Sequence, residues 1–302
     1  MDSLKNNRPF GLWKKLTLGI SMLFLSVSTV SAGATCTNKP NPDITIAVAS
    51  NMWEPAQDLA NIYNVSNNII IEVCHNSTGN LVNDINTGNS GYSLFLAANA
   101  SAPYSVTNYT VNGTDTIHNY TTGIPVLWSK NVSLVDFDST GNTNGSITLT
   151  ALILGVNEVV IADPALAPYG LAAVDIMKTV TNQWSAVTNG TNSTSANTSN
   201  GSYLITKNNI DSTYTYINAT ESAVGYVALS QVCRNSIITS GYGYKDYPST
   251  YDIPQSGVLI NQNPTENSIA AAFWDWLLLP RLPVGGNAQY VLQTTYCYGP
   301  PQ

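Results

Sequence analysis

Four short segments place hydroxyl or amide side chains, or an open backbone, directly at the start of a helical run: Ala49-Ser50-Asn51, Asn76-Ser77-Thr78-Gly79, Ala167-Pro168-Tyr169-Gly170 and Asn208-Asn209-Ile210. The first turn of a helix leaves N–H groups without intrahelical acceptors and carries a partial positive charge, so it attracts anions. A single turn of this kind signifies no more than a cap, because Ser, Thr and Asn cap helices in any protein. Several converging on one point would form an anion site that needs neither Lys nor Arg. Covalent chemistry has no comparable basis: no nucleophile, base and orienting acid fall into a recognised motif, and His75, the one histidine near Ser50 and Thr78 in sequence, reads as a surface or edge residue. The sequence therefore predicts a protein that is not an enzyme.

The elements that must carry these turns alternate. Ile44 to Val48 reads as a buried strand, and Ala56, Leu59, Ala60 and Tyr63 recur at helical spacing. Ile69 to Val73 follows as a strand, Leu81, Val82 and Ile85 as a helix, and Ser93 to Leu96 as a third strand, the order of a parallel sheet in an α/β domain. Thr107 to Thr122 is polar and without pattern, and order resumes at Ile124. Strands are then expected at Val159–Ile161, Val224–Leu229 and Gly257–Ile260, with helices at Leu171–Val180, Ile210–Ile217 and about Glu266–Leu279, the last stopped by Pro280. Asn189 to Gly201 consists almost wholly of Asn, Ser, Thr and Gly and reads as a surface insertion.

Composition narrows the classes. Only 10% of the 302 residues are charged, against about 25% in an average globular protein, and the formal net charge is -7. High-charge disorder and a basic nucleic-acid binder are excluded. Lys5, Arg8, Lys14 and Lys15 precede an apolar run from Leu16 to Val30, followed by small residues at 31–34, which is the layout of a secretory signal peptide. The run is shorter than the ~20 residues of a spanning helix. Removal of residues 1–34 takes four of the eleven basic residues and one of the eighteen acids, leaving seven against seventeen, a net charge of -10. Cys36, Cys74, Cys233 and Cys297 then permit two disulfides in three pairings, and their wide spacing does not suit a metal site.

In order along nearly the whole chain after the leader, the sequence resembles the molybdate-binding periplasmic proteins of ABC transporters. The segments are Ile46-Ala47-Val48-Ala49-Ser50, Ser77-Thr78-Gly79 with Asp84-Ile85-Asn86-Thr87-Gly88, Ser93 to Asn99, Gly123 to Ser129, Ile161-Ala162-Asp163-Pro164, Gly225 to Ser230, Phe273 to Leu278 and Tyr296 to Gly299. The most specific is Ala167-Pro168-Tyr169-Gly170 followed by Leu171-Ala172-Ala173. The resemblance implies an α/β, two-lobed periplasmic binding protein fold with a hinge and a central ligand cleft. Lobe I would comprise residues 35–123 plus 246–302, and lobe II residues 124–245 with the insertion at 189–201. It implies hydroxyl donors at Ser50 and Thr78, with Ser77 adjacent, and backbone donors at Tyr169 and Ile210. Some members place a Tyr hydroxyl at the position of Ala228. Tyr226, two residues earlier on the same strand face, is the candidate substitute, against the plainer reading of a half-buried strand tyrosine. Ser93 and Asn99 replace acidic residues of the family, and Asp211, beside Ile210, is expected to point away from a bound anion.

The function implied is capture of molybdate or tungstate in the periplasm for the membrane permease of an ABC transporter, by a monomer with no cofactor, no direct metal-cation ligand and no nucleic-acid partner. Two other readings stand beside it. The lost tyrosine and Asp211 suit a binding protein for another small anion or an organic ligand, and the Asn-rich insertion suits an exported interaction protein that has kept the fold without the ligand.

Overall fold

The computed structural model describes residues 33–88, 91–107, 117–137, 143–147, 158–188, 204–238, 241–244, 247–260, 263–282 and 286–302. The expected leader, up to residue 32, and the insertion at 189–201 lie outside them. The fold is α/β with two lobes, each built on its own sheet. The first sheet has six strands in the order Thr35–Cys36, Ile71–Asn76, Ile44–Ala49, Leu94–Leu96, Ile253–Leu259 and His118–Gly123. The second has five, in the order Leu204–Lys207, Glu158–Ala162, Ala223–Ala228, Pro125–Ser129 and Tyr242–Tyr244.

Alternation fixes which face each residue serves. In Ile44–Ala49, Ile44, Ile46 and Val48 enter the core with Leu59, Tyr63, Phe273 and Trp274. Ala47 enters the opposite core with Leu81, Ile85 and Phe95. A strand buried on both faces belongs in the middle of a sheet covered by helices on both sides, and this one pairs in parallel with Ile71–Asn76 and Leu94–Leu96. The second lobe repeats the scheme: Leu127, Val159, Ile161 and Met177 fill one core, and Val126, Val160, Ile217 and Val227 the other. The C-terminal helix Pro264–Leu278 starts where Asn263 accepts from the N–H groups of Thr265 and Glu266, and it stops one residue short of Leu279, which Pro280 holds out of helical geometry.

The strands Ile44–Ala49, Ile71–Asn76 and Leu94–Leu96 pair in parallel, as their alternation with helices predicts. Each sheet as a whole is mixed: in the second, Leu204–Lys207, Glu158–Ala162 and Ala223–Ala228 pair in parallel on one side, and Ile253–Leu259, His118–Gly123, Pro125–Ser129 and Tyr242–Tyr244 pair antiparallel. Two expectations need correction. The expected strand at Ile69–Val73 runs from Ile71 to Asn76. The polar stretch before Ile124 contains the strand His118–Gly123, whose hydroxyls serve the backbone of the C-terminal segment. There Thr121 and Thr122 donate to the carbonyls of Gly299 and Pro300, and Thr122 and Gly299 exchange backbone bonds of 3.1 and 2.8 Å.

The chain crosses between the sheets twice. Only Ile124 separates His118–Gly123 of the first sheet from Pro125–Ser129 of the second, and the return runs between Tyr242–Tyr244 and Ile253–Leu259. The disulfides Cys36–Cys74 and Cys233–Cys297 resolve the three pairings left open by spacing. The first ties the edge strand to its neighbour, and the second ties the end of Ala223–Ala228 and its short following helix to the closing segment.

Candidate functional site

The lobes meet over small residues. Ala49 and Ala98 of the first lobe, and Ala162, Ala167, Ala172 and Ala228 of the second, form one buried cluster with Tyr169, Ile210 and Ile253. Alanine carries the least side chain that still excludes water, so backbones from both lobes approach one another here. Gly170 extends the same economy: a Cβ on it would lie 2.2 Å from the carbonyl oxygen of Ala162, so only glycine lets the helix Pro168–Thr179 seat against the strand Glu158–Ala162.

Within this contact lies a small cavity, lined by Ser50, Asn51, Ser77, Thr78, Tyr169 and Ile210 among alanines and Pro168. It is small, about 190 Å³ of atom-free space including its open mouth. All five sequence-predicted residues other than Tyr226 lie on its wall. Among the described residues, no Lys, Arg, His, Asp or Glu side chain contributes to the lining.

The donors are prepared by their elements. Thr78, Tyr169 and Ile210 occupy the first turns of the helices Thr78–Asn86, Pro168–Thr179 and Ile210–Ala219, and among the described residues no acceptor meets their N–H groups. The hydroxyl oxygens are already engaged as acceptors. Ser77 Oγ accepts from Asn80 N at 3.3 Å as the cap of its helix, and Thr78 Oγ1 accepts from Ala98 N at 3.2 Å. An oxygen so engaged keeps its own proton free for another acceptor, and both residues lie on the cavity wall.

Ser50 has a partner that the sequence reading missed. His75 is buried, not at the surface: its Nδ1 lies 3.2 Å from Ser50 Oγ, and its ring stacks on Trp53 with centroids 4.2 Å apart. Burial pushes the imidazole down to about 4, so it is neutral near pH 7. The signal was the strand register, which the sequence alone does not give: Val48 pairs with His75, and Ser50, two residues beyond Val48 and on the same side, meets the His75 ring just past the end of the ladder.

Below the cavity lies a neutral network that spans both lobes. Asn51 Nδ2 donates to Gln255 Oε1 at 3.1 Å and to Tyr298 Oη at 2.8 Å, Gln255 Nε2 donates to Tyr169 Oη at 3.1 Å, and Tyr120 Oη donates to Gln255 Oε1 at 3.0 Å. Burial raises the phenols of Tyr120 and Tyr169 well above their ordinary range, so both stay protonated and neutral. Gly123 leaves room for this network, since a Cβ there would meet Tyr169 Oη at 2.1 Å and Gln255 Nε2 at 2.2 Å. Asn51 Oδ1 is buried with no partner.

Tyr226 does not reach the cavity. It shares a strand face with Ala228, as its spacing predicts, but two residues of strand displace it by about 7 Å. Its ring packs in the core of the second lobe, 6.1 Å from Tyr247. Asp211 also lies off the cavity, in an adjoining recess with Glu54, Tyr214 and Ser230. Burial, and then the Glu54 carboxylate, raise its carboxyl above the usual range. The sulfurs of Cys36 and Cys74, which approach the Glu72 carboxylate, are bonded to each other and so are not available as thiolate ligands.

The lobes are closed over the cavity. Gly79 N donates to Leu166 O at 2.9 Å, Ser230 Oγ donates to Asn51 O at 3.3 Å, and Arg234 forms an ion pair with Glu54 while its guanidinium lies 4.4 Å from the Tyr296 ring.

Residues 44–281 match the model of a family described as bacterial extracellular solute-binding protein. The molybdate-binding protein ModA of Rhodobacter capsulatus is 28% identical over 246 residues, covering 79% of this chain and 83% of that protein. ModA of Azotobacter vinelandii is 24% identical over 255 residues, covering 84% and 92%. Among solved structures, the Azotobacter vinelandii periplasmic molybdate-binding protein superposes with a TM-score of 0.67 at 20% identity, covering 86% of this chain and all of that one.

Proposed function

The chain belongs to the bacterial extracellular solute-binding proteins, and from that premise we propose that it captures a tetrahedral oxyanion, molybdate or tungstate, in the periplasm and delivers it to the permease of an ABC transporter. The observation that carries this reading is the convergence of Ser50, Thr78, Tyr169 and Ile210 on one small cavity. The relatives named for molybdate support the choice of anion. Lobe I comprises residues 35–123 plus 246–302 and lobe II residues 124–245, hinged where the chain passes between the sheets.

In this reading the hydroxyls of Ser50 and Thr78, with Ser77 adjacent, and the N–H groups of Tyr169 and Ile210 donate to the oxyanion. Hydrogen bonds to a charged acceptor contribute about 1.5–3 kcal/mol each, and micromolar affinity requires about 8 kcal/mol, so four to six such donors suffice without a countercharge. Asn51 supplies a further donor in place of the absent tyrosine at Ala228. Exchanging the oxygen and nitrogen of both the Asn51 and Gln255 amides keeps the contacts of Gln255 with Asn51, Tyr120 and Tyr169 and replaces the unpartnered Oδ1 by an N–H donor, while the single Tyr298 proton, given to Asn51 O at 3.0 Å, is then shared between that carbonyl and Asn51 Oδ1.

Calorimetric titration with molybdate, tungstate, sulfate and phosphate tests the reading. Molybdate and tungstate are expected to bind at micromolar concentration or below, and Ser50→Ala and Thr78→Val to weaken both by about 10- to 100-fold, the worth of one such hydrogen bond. Failure of the wild-type protein to bind either anion refutes it. Preference for sulfate or phosphate would assign the cavity to a smaller anion.

A further inference from the structure

We propose that His75 is a positioning residue: as the Nδ1–H tautomer it donates to Ser50 Oγ and thereby turns the Ser50 hydroxyl into a donor toward the cavity. The proposal rests on the oxyanion reading for its consequence, but its geometry stands apart from it. Ser50 has one proton. If His75 Nδ1 carried the lone pair, that proton would be drawn to it over the 3.2 Å separation, and the serine would present only lone pairs to the cavity. With the proton on Nδ1, the oxygen is engaged as an acceptor and its hydrogen is released.

The same device operates at both neighbouring hydroxyls, with donors whose direction admits no choice. Asn80 N–H occupies Ser77 Oγ and Ala98 N–H occupies Thr78 Oγ1. At Ser50 the corresponding role falls to a side chain, because the strand Ile44–Ala49 has ended and its neighbour offers the residue paired with Val48, which is His75. Trp53, stacked on the ring, holds the plane in which Nδ1 reaches Ser50. Burial keeps the imidazole neutral near pH 7, so one ring nitrogen bears the proton and the other the lone pair, and the choice between them decides what Ser50 can do.

The test has a part that needs no ligand and a part that does. Long-range ¹H–¹⁵N correlation spectra of the full-length protein distinguish the imidazole tautomers, and with only two histidines in the chain the His118→Gln variant assigns His75. The expected result is Nδ1–H at neutral pH, and a predominant Nε2–H form would overturn the proposal. In molybdate titrations, His75→Phe keeps the ring on Trp53 but lacks the donor, and is expected to weaken binding by about 10- to 100-fold. His75→Asn places an amide where Nδ1 stood and is expected to recover most of that loss. In a Ser50→Ala background, His75→Phe should change affinity no further. Unchanged affinity in His75→Phe, or an undiminished effect without the serine hydroxyl, also overturns the proposal. If the wild-type protein binds neither molybdate nor tungstate, the oxyanion reading fails, and the tautomer still decides the role of His75.

Discussion

Acidification should unfold this protein partly through His75. In the folded chain the imidazole accepts a proton only near pH 4, whereas in the unfolded chain it does so near its ordinary value of 6.5. Between these values the unfolded state binds more protons, so stability falls as pH falls; it is fully present above 6.5 and lost on descent to about 4. At 1.36 kcal/mol per pKa unit, and with the ring in slight contact with solvent, the loss is about 2–3 kcal/mol. Asp84, Asp211 and Asp252 act in the opposite sense, since burial raises their carboxyls and the folded state takes up their protons first. The measurement is therefore a difference: urea unfolding of wild type and His75→Phe at pH 7 and at pH 4. The variant loses the Ser50 contact at both values, which is a constant offset, and the carboxyl contributions cancel. Wild type should lose about 2–3 kcal/mol more than the variant on acidification. Equal losses within about 0.5 kcal/mol would show that His75 is not held neutral by burial, and would refute the reasoning.

Three further outcomes follow from the same contacts. Gly123→Ala drives a methyl into Tyr169 Oη and Gln255 Nε2; it should cost about 1–3 kcal/mol in urea unfolding and weaken oxyanion binding in calorimetry, because moving Tyr169 moves its N–H. Asp211→Asn removes an acid from the recess beside Ser50 and Asn51 and should tighten oxyanion binding several-fold at neutral pH, on the order of the 0.3–1 kcal/mol typical of a charge near a helix terminus; weaker binding would show that the carboxylate takes part in the site. Reduction of Cys36–Cys74 and Cys233–Cys297, which close separations of 38 and 64 residues, should lower the urea midpoint, each crosslink being worth about 4 kcal/mol in the chain-entropy account.

What the sequence disclosed was what local rules govern. Ile44–Ala49 is legible because every residue is apolar or small and both its faces are covered, and Pro264–Leu278 because Asn263 and Pro280 bracket an apolar run. His118–Gly123 escaped because its threonines are paid for by carbonyls at Gly299 and Pro300, far along the chain, and no local pattern announces such partners. The site divides in the same way. The four turns are visible as capping sequences, and the family resemblance supplied their common purpose. Neither the register that sets His75 behind Ser50 nor the path of Gln255 from the far crossover to Asn51 and Tyr169 has a local signature. Tyr226 is the converse case, where the strand period was right and the distance to the cavity was not.

The scarcity of charge has a kinetic consequence. A dianion entering this cavity meets hydroxyl and N–H dipoles, not Lys or Arg, and dipoles act only at contact, where burial shields them from salt. At longer range the anion meets the field of an acidic chain, net charge -7 with the expected leader and -10 without it, which is repulsive. Attraction and repulsion are thus separated by distance, and salt reaches only the second. Raising ionic strength should therefore increase the association rate of molybdate, measured by stopped-flow tryptophan fluorescence, and leave its dissociation rate nearly unchanged. A site built on cations would respond in the opposite sense, with association slowed as salt screens the attraction. A fall in association rate with salt would therefore locate a cationic entry path on the protein and contradict capture by neutral donors alone.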